Sequence, residues 1–177
     1  MLDRLIDSPP LLAGAIAAVA VINYAISLSI VRQYARQHFV DYRRPPEVAG
    51  KAPSDAAQLA TAFLLPAVAI VLTLLLGRFG RELVGGGVLV MQVAMLGSSV
   101  TDLLAVRSLG RSDAAEGQLR YSHGYRYRAG AARAIGAALV AGLVAVLFNS
   151  RSFLMGAIFL LAAGAGWYRR ARQATGT

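Results

Sequence analysis

The stretch that most constrains this chain is residues 83–106, LVGGGVLVMQVAMLGSSVTDLLAV, an apolar run interrupted by one glutamine and one late acid. Wound as an α-helix, its roughly 24 residues span about 36 Å, enough to cross a hydrocarbon layer of about 30 Å with some tilt. Gly85, Gly86 and Gly87 are poor helix formers in water, but inside a membrane small residues let neighbouring backbones approach closely. Gln92, Ser99 and Asp102, with Met95 between, follow at steps of three, four and three and therefore share one helical face. An amide or carboxyl facing hydrocarbon is costly without a partner or water. The run is therefore expected to sit against other helices, at the centre of a bundle.

Composition agrees. The chain is 56% apolar and only 15% charged, whereas a soluble domain is nearer 45–50% and about 25%. The expectation is an all-α integral membrane protein, a single polytopic domain over residues 1–177. Five transmembrane helices are predicted, at about 11–31, 56–76, 83–106, 129–148 and 152–168. Pro66 falls inside the second, where it removes one backbone hydrogen bond. Gly77–Glu82 reads as a tight polar turn before the central span, and Asn149–Arg151 as the turn between the fourth and fifth. The lead Met1–Pro10 holds two acids ahead of a long apolar run, which argues against a cleaved signal peptide.

The basic residues fix an orientation for such a bundle. With five spans, Arg4, Arg78, Arg81 and Arg151 lie on one side, and the remaining 14 of the 18 basic residues lie on the other. Cytoplasmic loops carry the arginine excess, so the N-terminus is expected outside and the C-terminus in the cytoplasm, in the cell (plasma) membrane.

Two groups of residues are candidates for function. The first is a polar lining formed by Gln92, Ser99 and Asp102 on the central span with Asn23 and Ser27, one turn apart on the first. Gln92 lies near mid-membrane and Asp102 near the cytoplasmic mouth. The competing reading is helix-to-helix bonding, with Gln92 meeting a neighbour such as Asn23, and Asp102 pairing with Arg107 or Arg133. The second group is Arg120, Tyr121, Tyr125, Arg126, Tyr127 and Arg128, which alternate bases with tyrosines. Arginine suits phosphate and tyrosine suits the interface, so this segment is expected to touch anionic lipid headgroups. No nucleic-acid recognition fold accompanies the patch, which argues against nucleic acid.

Chemistry is sparse. The chain has no cysteine and two histidines, no phosphate-binding loop, and no nucleophile or metalloprotease motif, so no cofactor, metal or catalytic residue is assigned. Three function classes fit the residues. One is a small channel or transporter for a solute, biased towards anions by the arginine-rich mouth. Another is a non-catalytic accessory or scaffold subunit binding anionic lipid or another membrane protein. The third, a lipid-modifying enzyme using Asp102, lacks a second acid or nucleophile. Small-residue faces such as Gly14 with Ala18 predict a homo-oligomer or a subunit of a larger complex.

Overall fold

The computed structural model describes residues 2–36, 55–109 and 123–175, and these are helical apart from short breaks. The elements are α1 (Leu2–Asp7), α2 (Pro9–Arg36), α3 (Asp55–Leu75), α4 (Arg78–Gly80), a π-helical turn (Arg81–Gly86), α5 (Gly87–Leu109), α6 (His123–Leu147) and α7 (Arg151–Thr175). Four stretches are long and apolar enough to cross a membrane: Pro9–Ser29, Arg78–Leu104, Arg128–Leu147 and Arg151–Arg169. α3 is a 21-residue helix whose described side chains form the apolar segment Phe63–Leu75. The described residues are thus all-helical apart from short breaks, and among them are four candidate membrane-spanning helices.

The N-terminal lead is itself a helix. Ile6 is buried, and Leu2 and Leu5 pack against the core, so α1 folds back onto the bundle as a short apolar plug. The Ser8 carbonyl accepts the Leu12 amide at 3.0 Å and starts α2, and the prolines at 9 and 10 stand where helix amides have no intrahelical acceptor. α2 then continues through Arg36, past the end of its apolar run.

The polar turn expected at Gly77–Glu82 is shorter than its sequence suggests. The break occupies Leu76 and Gly77, and helix resumes at Arg78, so the central helix begins one and a half turns before residue 83. Its first part is not α-helical. Residues Arg81–Gly86 wind as a π turn, a wider helical turn set against an α-helix. The Ser152 hydroxyl of α7 donates to the Glu82 carbonyl within it at 2.8 Å.

Glycine makes that contact possible. A Cβ on Gly86 would run into the Ser152 side chain, and one on Gly156 would lie 2.7 Å from Val90 Cβ, so α5 and α7 approach nearly backbone to backbone. α6 and α7 are a hairpin with a similar seam. Ala131, Ala134, Ala138, Ala141 and Ala145 are buried at alternating steps of three and four, a narrow stripe of small side chains facing one direction. At the hairpin turn Asn149 takes φ 48°, and the Ser150 amide donates to the Ala145 carbonyl at 3.0 Å. This six-to-one bond is the Schellman closure, and asparagine is among the few residues that adopt its left-handed position readily.

The core is built by Leu12 and Ile16 of α2, Val88, Leu89 and Met91 of α5, and Leu160 of α7. The outside stays apolar as well: Leu64, Val68, Val71 and Leu75 of α3 and Leu139, Leu143 and Val146 of α6 are exposed. Helices apolar on both faces suit a lipid surround rather than water. The three breaks, at Ser8, Leu76–Gly77 and Phe148–Ser150, gather at one end of the bundle. There Arg78 pairs with Asp7 at 3.3 Å, Arg151 pairs with Glu82 at 3.6 Å, and the Arg151 guanidinium lies 5.0 Å from the Phe79 ring centre.

Candidate functional site: the polar seam of the central helix

α5 carries two polar clusters, one near its middle and one towards its far end, about 15 Å apart at the rise of an α-helix. The first is built around Gln92, which is buried between α5 and its neighbours at 5% exposure. Asn23 of α2 donates its amide to the Gln92 backbone carbonyl at 3.2 Å, a bond between helices that pack along much of their length. Two acceptors are left over: among the described residues, Asn23 Oδ1 and Gln92 Oε1 are buried with no partner. In an apolar interior such an oxygen attracts a proton donor or a cation. Ser27, one turn beyond Asn23, is exposed and does not join the cluster.

The second cluster centres on Arg133, the one charge inside the apolar part of α6. Its Nη1 donates to the Asp102 carboxylate at 2.6 Å, to the Ser98 hydroxyl at 3.1 Å and to the Ser98 carbonyl at 3.3 Å. Asp102 and Ser98 lie one turn apart on α5, so a single guanidinium group ties α5 to α6. The pair is neutral overall, which suits an environment where an isolated charge is expensive. Beside it a small cleft of about 10 Å³, room for about one water, is lined by Met95, Ser98, Arg133 and Trp167.

The expected residues are thus distributed unevenly. Asn23 and Gln92 meet, and Asp102 meets Arg133. Ser99 is half-buried on α5, while its neighbour Ser98 is the serine that binds the arginine. The spacing of Ser98 to Asp102, four residues, was an available signal, but on sequence alone both serines fit a polar face. Arg120 and Tyr121 lie outside the described residues. Tyr125, Arg126 and Tyr127 fall in the first turns of α6, their side chains outside the described set, and Arg128 on the same helix is exposed.

Three further polar residues had no motif to announce them. Thr73 of α3 is fully buried, its hydroxyl oxygen without a hydrogen-bond partner among the described residues, and a Cβ on Gly85 would come within 2.5 Å of that oxygen. Ser152 braces the π turn, and Arg81 donates to the Leu76 carbonyl at 3.3 Å across the chain break.

No family model matches this chain, and no curated protein or solved structure matches it. The four long apolar helices point to a membrane protein, and the specific role rests on the arrangement of its side chains.

Proposed function

We propose that the chain is a five-span protein of the cell membrane, with its N-terminus outside and its C-terminus in the cytoplasm, serving as a non-catalytic accessory or scaffold subunit that contacts anionic lipid and a membrane partner, either a second copy or another protein. The observation that carries this reading is the Arg133–Asp102 pair with Ser98. The strongest polar groups in the apolar spans are engaged in joining α5 to α6, a structural use of charge. The exposed apolar faces of α3 and α6 supply surface for lipid or a partner helix.

The test is purification in mild detergent followed by native mass spectrometry and reconstitution. A stoichiometric partner or homo-oligomer, with no solute flux from the protein alone, is the expected result. Flux abolished by Gln92→Leu in a folded protein would replace it with the second reading, a small channel or transporter. That second reading is favoured by one feature, the two unpartnered oxygens of Asn23 and Gln92 in the bundle interior.

A further inference from the structure

The bond between Arg133 and Asp102 uses only one corner of each group. Arg133 Nη1 serves Asp102 Oδ1, the Ser98 hydroxyl and the Ser98 carbonyl with its two hydrogens. A guanidinium carries five N–H donors, so the others, on Nη2 and Nε, are unspent, and the carboxylate keeps its second oxygen. Among the described residues Nη2, Nε and Oδ2 have no hydrogen-bond partner, and all three atoms reach the surface of the protein. The two side chains are 37% and 21% exposed. The pair therefore shows its surroundings an open cationic edge and an open anionic oxygen, with no net charge. α6 ends at Leu147, roughly 14 residues or 21 Å beyond Arg133. In a hydrocarbon layer of about 30 Å this sets the Arg133 backbone about 9 Å inside the opposite boundary, a depth from which an arginine side chain extends to the headgroup level.

Donors and acceptors left open below the headgroups are costly until something pairs with them. The complement of a neutral pair open on both sides is a neutral ligand carrying both charges. An anion alone would meet Asp102 as well as Arg133, and a cation alone would meet Arg133 as well as Asp102. A phosphate suits the flat, forked edge of a guanidinium, and a primary ammonium has the N–H groups that a carboxylate oxygen accepts. The open atoms each stand one bond angle away from the bonded pair, whose atoms are 2.6 Å apart, a spacing that a phosphate and an ammonium joined by two carbons can match. We propose that Arg133 and Asp102 form a site for a zwitterionic headgroup of the phosphatidylethanolamine type, with the phosphate on Arg133 Nη2 and Nε and the ammonium on Asp102 Oδ2. The proposal rests on the membrane reading of the preceding section and goes beyond its anionic contacts, because this site carries no net charge.

Trp167 is the single tryptophan of the chain and lines the same small cleft as Ser98 and Arg133, so its fluorescence reports from beside the pair. The protein is reconstituted in phosphatidylcholine containing a minor fraction of acyl-chain-brominated phosphatidylethanolamine, phosphatidylcholine or phosphatidylglycerol. A preference of about fivefold for the brominated phosphatidylethanolamine over either of the others is expected, since it alone offers both a phosphate and an ammonium N–H. Asp102→Asn keeps an acceptor for Arg133 but removes the carboxylate, and Arg133→Lys keeps the charge but removes the forked edge. Each is expected to abolish the preference over phosphatidylcholine. Equal quenching by the three lipids, stronger quenching by phosphatidylglycerol, or a preference unchanged in both variants would overturn the proposal. The comparison of lipids on the wild-type protein decides the matter even where a variant folds poorly. Soluble glycerophosphoethanolamine added to the protein in detergent distinguishes the source of the zwitterion: a Trp167 emission change matching that caused by phosphatidylethanolamine would mean a site for the soluble molecule and would overturn the lipid assignment. A protein that shows the preference but co-purifies with no partner keeps this site and loses the scaffold reading, whereas equal quenching in a protein with a stoichiometric partner does the reverse, so the two fail separately.

Discussion

Asp102 and Arg133 stand 31 residues apart in sequence and 2.6 Å apart in space, on helices that otherwise touch sparingly. α6 reaches the rest of the bundle mainly through its hairpin partner α7, and among the described residues this ion pair with Ser98 is the side-chain polar tie between α6 and the central helix. Its geometry concentrates the contacts, because the two hydrogens of one nitrogen are shared among a carboxylate, a hydroxyl and a carbonyl.

Removing either charge leaves the other without its partner in a poorly solvated place. Arg133→Ala and Asp102→Ala are each expected to destabilise the protein by about 1–3 kcal/mol. The double variant should recover part of that loss, with a coupling of roughly 1 kcal/mol, discounted because the arginine side chain is 37% exposed. Unfolding in detergent across the full double-mutant cycle measures the coupling, and strict additivity would show that the pair contributes nothing.

The interior amides behave differently. Gln92→Leu removes a buried, unpartnered oxygen while leaving the backbone carbonyl that Asn23 uses, so stability is expected to stay within about 1 kcal/mol of wild type or to rise. Asn23→Leu loses the interhelical bond and is expected to cost about 0.5–1.5 kcal/mol. Thermal denaturation of both variants compares the two, and a larger loss for Gln92→Leu would show that its oxygen has a partner in the folded protein.

Close packing around the π turn predicts a steep response at Gly86. Gly86→Ala forces the added methyl into Ser152, and overpacking of this kind costs about 1–3 kcal/mol. Gly14→Ala meets nothing within 4 Å and is expected to be neutral in the isolated chain. Melting temperatures of the two variants test the contrast.

The α6–α7 turn needs a left-handed residue at 149. Asn149→Gly is expected to be neutral or mildly stabilising, whereas Asn149→Val should cost about 1–2 kcal/mol. Equal stability of the two variants would contradict the turn geometry.

Topology is open to a direct measurement because the chain has no native cysteine. A single cysteine at Asn149 is expected to react with an impermeant thiol reagent from outside intact cells, and one at Thr177 only after the membrane is opened. The reverse pattern would invert the proposed orientation.

Much of this architecture is written locally. Apolar length and flanking charge are properties of consecutive residues, so the helices over 9–29, 128–147 and 151–169, and the one containing residues 83–106, could be located without knowing what they touch. Hydrophobic run length does not encode the pitch of a helix. The π turn at Arg81–Gly86 therefore could not be read there, nor could the bond that Ser152, 70 residues away, donates to the Glu82 carbonyl within it.

The candidate site divides along the same line. That α5 would carry a polar face was legible from the spacing of Gln92 and Asp102, and Arg133 stood out as a charge in an apolar helix. Which serine serves that charge depends on how α5 is rotated about its axis, and packing against α2, α6 and α7 sets that rotation. What the sequence alone determined is therefore the solvent each helix requires, because transfer of side chains from water to an apolar phase is a property of composition. Only the tertiary structure decided which polar atoms are partnered, because a hydrogen bond depends on distances of a few tenths of an ångström between residues that the chain keeps far apart.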